Sequence, residues 1–277
     1  ATTSGGVSIT SGKDLLVSGV EAADRIKLIS TGNDGKITLG DNAEGGGVLK
    51  TSSSANDAVV IDAQGENGSF VNNTTAESAI KTEGGSWKIY TASPELNTYG
   101  NNLNSGTNAQ WNADSTTYAA DTDTDSVGKY IFKVQPTLTV KADDKTKVYG
   151  ETFDPSRYSA SATDATFTGR DGKTYSVKDA MFQNAFDEGD LNDRYSGTIS
   201  YSSDGADAAK TRTGGTVKAA DGNKAGYTIK AAGNLTSRDG YNVNTADGVL
   251  QILKRTATIT GNGEQTYGKS TLTSWAT

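Results

Sequence analysis

The sequence predicts an all-β protein in two parts, the end of a parallel β-helix followed by a small β-rich module, and three observations lead there. Aliphatic clusters recur about every 11 residues from 7 to 90. Leu, Ile, Val and Phe make up only 46 of 277 residues, too few for one large globular core. An alternating strand that ends in Tyr-Gly occurs twice, 118 residues apart. Such aliphatic poverty is usual in disordered chains, which also carry a large net charge. Here the net charge is only −7, from 26 basic and 33 acidic residues. The balance is filled by 38 Thr, 33 Gly, 31 Ala and 26 Ser, which suit thin, repetitive β layers that each bury two or three aliphatic side chains.

The first element is the repetitive region, 1–90. Its clusters are Val7/Ile9, Leu15/Val17, Ile26/Leu28, Ile37/Leu39, Val48, Val59/Ile61, Phe70 and Ile80. Within a cluster apolar and polar residues alternate, as in Ile26-Lys27-Leu28, the period of a half-buried strand. The intervening turns are Gly-, Asn- and Asp-rich, and longer and more variable than the two-residue links of hairpins. Two short strands per coil of about 22 residues fit a parallel β-helix better than a stack of hairpins.

The second element is a junction, 91–135. The pattern changes at Trp87: aromatic residues stand at Trp87, Tyr90, Tyr99, Trp111 and Tyr118 with almost no aliphatics between them. Exposed aromatics in a polar context can stack on sugar rings, which makes Tyr99, Trp111 and Tyr118 candidate carbohydrate contacts. The simpler reading is a cap over the last coil of a solenoid.

The third element is a β module, 136–256. It opens with "LTVKADDKTKVYG", ending at Tyr149-Gly150, and the pattern returns as "ATITGNGEQTYG", ending at Tyr267-Gly268. Residues 257–277 therefore read as the start of a second module, joined with almost no linker. Met181, Phe182, Ala185 and Phe186 sit at helical spacing after Asp179, marking one short helix or an irregular crossover. The sequence begins in mid-pattern and reads as a slice of something longer.

Absences narrow the function. Without Cys there are no disulfides, zinc-thiolate sites or thiol catalysis, and without His there is no Ser-His-Asp triad. No apolar run approaches ~18 residues, so no membrane-spanning helix is expected. The mild acidity and lack of a basic stripe argue against nucleic acid. "GGG" at 45–47 lacks the Lys-Ser/Thr of a phosphate loop.

The residues "GGSWKIYTASPELNTYGNNL" and "KYIFKVQPTLTVKADDKTKVYG" resemble the junction in two-partner-secretion exoproteins, the filamentous-haemagglutinin-like adhesins of Gram-negative bacteria. In that family a right-handed parallel β-helix ends in Trp-x-x-Tyr-(Ser/Thr)-x-x-Pro, here Trp87 to Pro94. Tandem MBG-type modules, β-sandwich or β-grasp-like and marked by Tyr-Gly, follow it. The resemblance is fairly specific from 70 to 155 and weaker from 156 to 230, where the module interior is longer than usual. It implies a non-enzymatic secreted adhesin that needs no cofactor and inserts in no membrane. It also implies export through an outer-membrane translocator barrel, and attachment to extracellular polysaccharide, a surface receptor or like adhesin molecules on the cell surface or in a biofilm matrix.

Two further candidates are weighed on chemistry. Asp121, Asp123 and Asp125 place three carboxylates along an extended segment, where oxygen ligands can gather around calcium. Ser126 stands where an EF-hand loop needs Gly and Phe132 where it needs the bidentate Glu, so a solvated acidic hairpin tip is the simpler reading. Paired carboxylates also run glycoside hydrolysis, yet no acidic pair recurs at the coil spacing within 1–90. The four Asn-x-Ser/Thr sequons, at Asn67, Asn72, Asn73 and Asn234, are as many as chance provides.

Overall fold

A computed structural model describes residues 2–40, 46–63, 65–100, 103–220, 222 and 226–256. Tyr267, Gly268 and the whole segment 257–277 lie outside the described residues. Among the described residues strands and bridges hold 39% and helical turns 9%, and each helical element is a single 3-10 turn. The protein is therefore all-β. It divides into two compact units: Ala1–Ala142, Ala160–Ser200 and Ala231–Ala246 form the first; Asp143–Ser159, Tyr201–Lys230 and Asp247–Thr277 form the second. Residues 136–256 contribute to both.

In the first unit the short strands take turns among three sheets. They are β1 (Thr2–Thr3), β2 (Val7–Ser11), β3 (Leu15–Val17), β4 (Val20–Ala22), β5 (Ile26–Ser30), β6 (Lys36–Leu39), β7 (Leu49–Thr51), β8 (Val59–Ala63), β9 (Ser69–Asn72), β10 (Ile80–Lys81), β11 (Trp87–Thr91) and β12 (Lys129–Phe132). The first sheet runs β1-β4-β7-β10, the second β2-β5-β8-β11-β12 and the third β3-β6-β9, and all of these pairings are parallel. Each strand from β4 to β11 thus pairs with the one three places earlier. The expected two strands per repeat are corrected to three. Strands β4, β7 and β10 carry only two or three residues each, so their apolar signal is one or two side chains long. The repeat is also uneven: paired residues are 19 apart at Val7 and Ile26, 33 apart at Ile26 and Val59, and 28 apart at Val59 and Trp87.

Alternation decides which side chains face in. In the second sheet the row Ile9, Leu28, Ile61, Ile89 and Tyr130 is in register and points into a core shared with Ile37, Leu39 and Phe70 of the third sheet and Leu49 of the first. Ile26, Leu28, Ile37, Leu39, Val59 and Ile61, the expected inward positions, are all fully buried.

The first unit also holds a sheet of β13 (Thr137–Ala142), β15 (Ala160–Thr168), β16 (Thr174–Ser176) and β19 (Asn242–Ala246), in the order β16-β15-β13-β19. Strand β13 is antiparallel to β15 and parallel to β19. The stretch read as a short helix or crossover makes one 3-10 turn, Ala180–Phe182; Phe182, Ala185 and Phe186 are buried there and Met181 is exposed. A further four-stranded sheet has the order β14-β20-β18-β17, from β14 (Lys145–Val148), β17 (Ile199–Ser202), β18 (Gly226–Gly233) and β20 (Gly248–Leu253). In the second unit β14 runs parallel to β20, and β18 antiparallel to it.

Candidate functional site

Every second residue of the second sheet points away from the core, and these outward residues build the site. Two rows are in register across the strands: Ser8, Lys27, Val60, Lys88 and Lys129; and Thr10, Ile29, Asp62, Tyr90 and Ile131. On an open sheet such rows are solvated. Here segment 113–127 covers the far end of both, so that Val60, Tyr90 and Ile131 pack with Ala113, Tyr118 and Ala120 in a small second core. The segment is held by the Tyr90 hydroxyl donating to Tyr118 O (2.8 Å), and by Asn56, whose Nδ2 donates to Asp123 O (3.1 Å) and whose Oδ1 accepts from Ser126 Oγ (2.9 Å).

Beneath the segment lies a cluster of charges. Lys88 Nζ is 3.1 Å from Asp123 Oδ2 and Lys129 Nζ is 2.9 Å from it, with side-chain exposures of 0%, 8% and 4% for Lys88, Lys129 and Asp123. Lys88 also donates to Ser86 Oγ and Val127 O, and Lys129 to the Tyr118 hydroxyl and Asp125. Burial depresses the Lys88 pKa by more than Asp123 raises it. Burial likewise opposes the charges on Lys129 and Asp123, but their bonds outweigh it. Asp125, Tyr118 and Asp123 hold Lys129 above the ordinary lysine value, and the Asp125 N–H with the two lysines holds Asp123 below the ordinary carboxylate value.

This corrects the reading of Asp121, Asp123 and Asp125. Asp123 is buried and already neutralised by two ammonium groups, Asp125 pairs with Lys129, and Asp121 lines a neighbouring cavity. They form neither a solvated hairpin tip nor a converging set of calcium ligands. Among the described residues no three His, Cys, Asp or Glu side chains gather in a way that would hold a metal.

Two adjoining cavities follow the outward rows alongside segment 113–121. One, of about 350 Å³, reaches from Ser8 past Arg25 and Asp57 to Asp62 and Tyr90, with Asp121 on the opposite wall. The other, of about 180 Å³, continues from Asp62 and Tyr90 to Lys133, walled by Asp114, Ser115 and Thr116. Asp62, Tyr90 and Ser115 line both, so the two are halves of one groove. Arg25 Nε donates to Asp57 Oδ1 at 2.7 Å, and hydrogen bonds led by the Thr116 hydroxyl depress the Asp114 pKa to about 2.

No family model, curated protein or solved structure matches the chain.

The aromatic candidates divide. Trp111 is 1% exposed and packs against Phe132, Phe167, Phe186 and Tyr241; Tyr99 is 6% exposed, set edge-on to Tyr130 with its hydroxyl donating to Pro94 O. Neither ring offers a face to a sugar, so both are corrected from contact residues to core, where their large apolar area is worth most. Tyr118 is half-buried, with Lys129 Nζ 5.3 Å from its ring centre. The Tyr149 ring does not pack into a core. The chain turns at Tyr149-Gly150, where Gly150 has φ +86°, and leaves the ring exposed. The buried position on β14 is taken by Lys147, whose Nζ donates to the carbonyls of Glu151, Ala206 and Asp207.

Sequence reasoning missed Lys88, Lys129 and Asp62 as site residues and the burial of Glu188, whose acidic run reads only as a weak cation candidate; all four are buried. The only available signal for the first three was their outward register between apolar inward neighbours, and that register normally means exposure. The Glu188 carboxyl accepts from the Tyr241 hydroxyl beside the Arg194–Asp239 ion pair, and burial raises its pKa to about 7.

Proposed function

We propose that this chain is a segment of a secreted bacterial cell-surface adhesin of the two-partner-secretion type. In this reading 1–90 are coils of a right-handed parallel β-helix, 91–135 a cap and junction, 136–256 an MBG-type module of β-sandwich or β-grasp-like build, and 257–277 the start of another. The observation that carries it is the rotation of parallel strands through three sheets around a filled aliphatic core, which supports a stiff stalk. The protein is exported through an outer-membrane barrel and attaches cells to one another, to surfaces or to matrix polysaccharide without cleaving it. A carbohydrate-binding role is the second reading, favoured by the polar groove on the second sheet. A β-helical polysaccharide-cleaving enzyme is the third. The deciding experiment incubates the purified chain with biofilm matrix polysaccharide and with whole cells. Retention on either, with no new reducing or unsaturated ends, is the expected result. Release of such ends makes it an enzyme, and failure to retain either target removes the adhesive reading.

A further inference from the structure

The groove along the outward rows of the second sheet has a length, a lining and a rigidity that together select a ligand. It extends from Ser8 on β2 to Lys133 just beyond β12, five strands at ~4.8 Å spacing, or about 19 Å. We propose that this groove binds a short stretch of polysaccharide, a few hexose units laid along the stacking direction. The inference rests on the reading of extracellular polysaccharide as partner, and it places the contact on named residues.

The lining supports a sugar. Ser8, Arg25, Asp57, Ser115 and Asp121 mix hydroxyl, cation and carboxylate groups along both walls, matching hydroxyls that donate and accept at once. A peptide is a poorer occupant. β5, β8 and β11 are paired on both sides, so their backbone has no edge to which an extended peptide can add a strand. Carboxylates on both walls repel the phosphates of a nucleic acid. The walls are also fixed before a ligand arrives: Asp57 holds Arg25, Tyr90 is bonded to Tyr118 O, and Lys88 and Lys129 pin the covering segment through Asp123. Little ordering is left to oppose binding.

The test titrates the full chain calorimetrically with cellotetraose, mannotetraose, chitotetraose and a tetraglutamate peptide. At least one tetrasaccharide is expected to bind and the peptide is not. Ser115→Trp, which fills the middle of the groove, and Arg25→Ala, which removes its exposed cation, are each expected to weaken binding about ten-fold or more. Leu16→Trp, on the exposed face of the third sheet, is expected to change nothing. Thermal melts establish that each variant is folded, and Arg25→Ala decides if Ser115→Trp is not. The proposal is overturned if no tetrasaccharide binds, if the folded groove variants bind as the parent does, or if the peptide competes. Retention on whole matrix polysaccharide separates the two readings: if it persists undiminished in Ser115→Trp, the groove is wrong and the adhesive reading stands.

Discussion

Lys88 and Asp123 lie 35 residues apart in the chain, and Lys88 Nζ and Asp123 Oδ2 are 3.1 Å apart, both side chains removed from water. The contact joins a strand to the segment that covers it. Breaking a buried pair by removing one partner strands the other charge, at ~3–5 kcal/mol. Asp123→Ala leaves two ammonium groups without their shared counter-ion and is expected to cost that much in chemical denaturation. Asp125→Ala removes an exposed partner and is expected to cost under ~1 kcal/mol. Adding Lys88→Met to Asp123→Ala should recover part of the loss; a double mutant less stable than Asp123→Ala counts against this account.

Calcium should find no sub-micromolar site at 121–125. Asp123 already holds two ammonium groups, and a divalent ion would have to displace both. Calorimetric titration showing tight calcium binding abolished by Asp123→Ala is the contrary result.

Glu188 makes stability depend on pH. Its pKa rises from 4.5 to about 7 in the folded protein, so between those values the native state binds more protons than the unfolded one and stability falls as pH rises. The contribution is fully present below 4.5 and lost through about 7, a change of roughly 3 kcal/mol. Tyr241, Arg194, Asp239 and Asp187 are the charged and titratable groups that bear on it. Glu188→Gln should flatten the denaturation midpoint between pH 4.5 and 8 relative to the parent; an unchanged slope removes Glu188 as its source.

Leu39 is fully buried between Val17 and Asn72 on the neighbouring strands. Leu39→Ala should cost ~2–5 kcal/mol through the lost transfer energy and the cavity left behind. Leu39→Asp buries an unpaired charge and should abolish the cooperative transition. Near-parental stability of Leu39→Asp would place this side chain in solvent.

Gly240 has φ +90°, and a Cβ there would sit 1.9 Å from Trp111 O. The Trp111 N–H donates to Asp239 O at 2.9 Å, so the clash falls on backbone already committed. Gly240→Ala should cost more than the ~1–3 kcal/mol of left-handed strain alone and perturb Trp111 fluorescence. A variant with parental melting and emission counts against the clash.

The strands with two inward aliphatic residues, such as Ile26/Leu28 and Ile37/Leu39, were legible because alternation is a local property. Strand β4 was not, and β7 and β10 showed only as the single residues Val48 and Ile80, since one or two apolar side chains carry no period. Lys88 and Lys129 could not be read as buried, because charged side chains are rarely buried unless paired and their partners lie on a segment with no periodicity at all. Trp111 and Tyr99 mislead for a related reason: their polar neighbours in sequence are not their neighbours in space. The groove was invisible for the same cause, since its two walls come from distant stretches of chain.

Pairing each strand with the one three places back has a kinetic consequence. The chain closed between paired residues is 19 to 33 residues long from β2 through β11, and it does not lengthen as further strands are added. Loop closure therefore costs about the same each time, and every finished layer offers a ready template to the next. A protein assembled in this way can fold in step with its own delivery, end first, needing at each moment only the last few dozen residues.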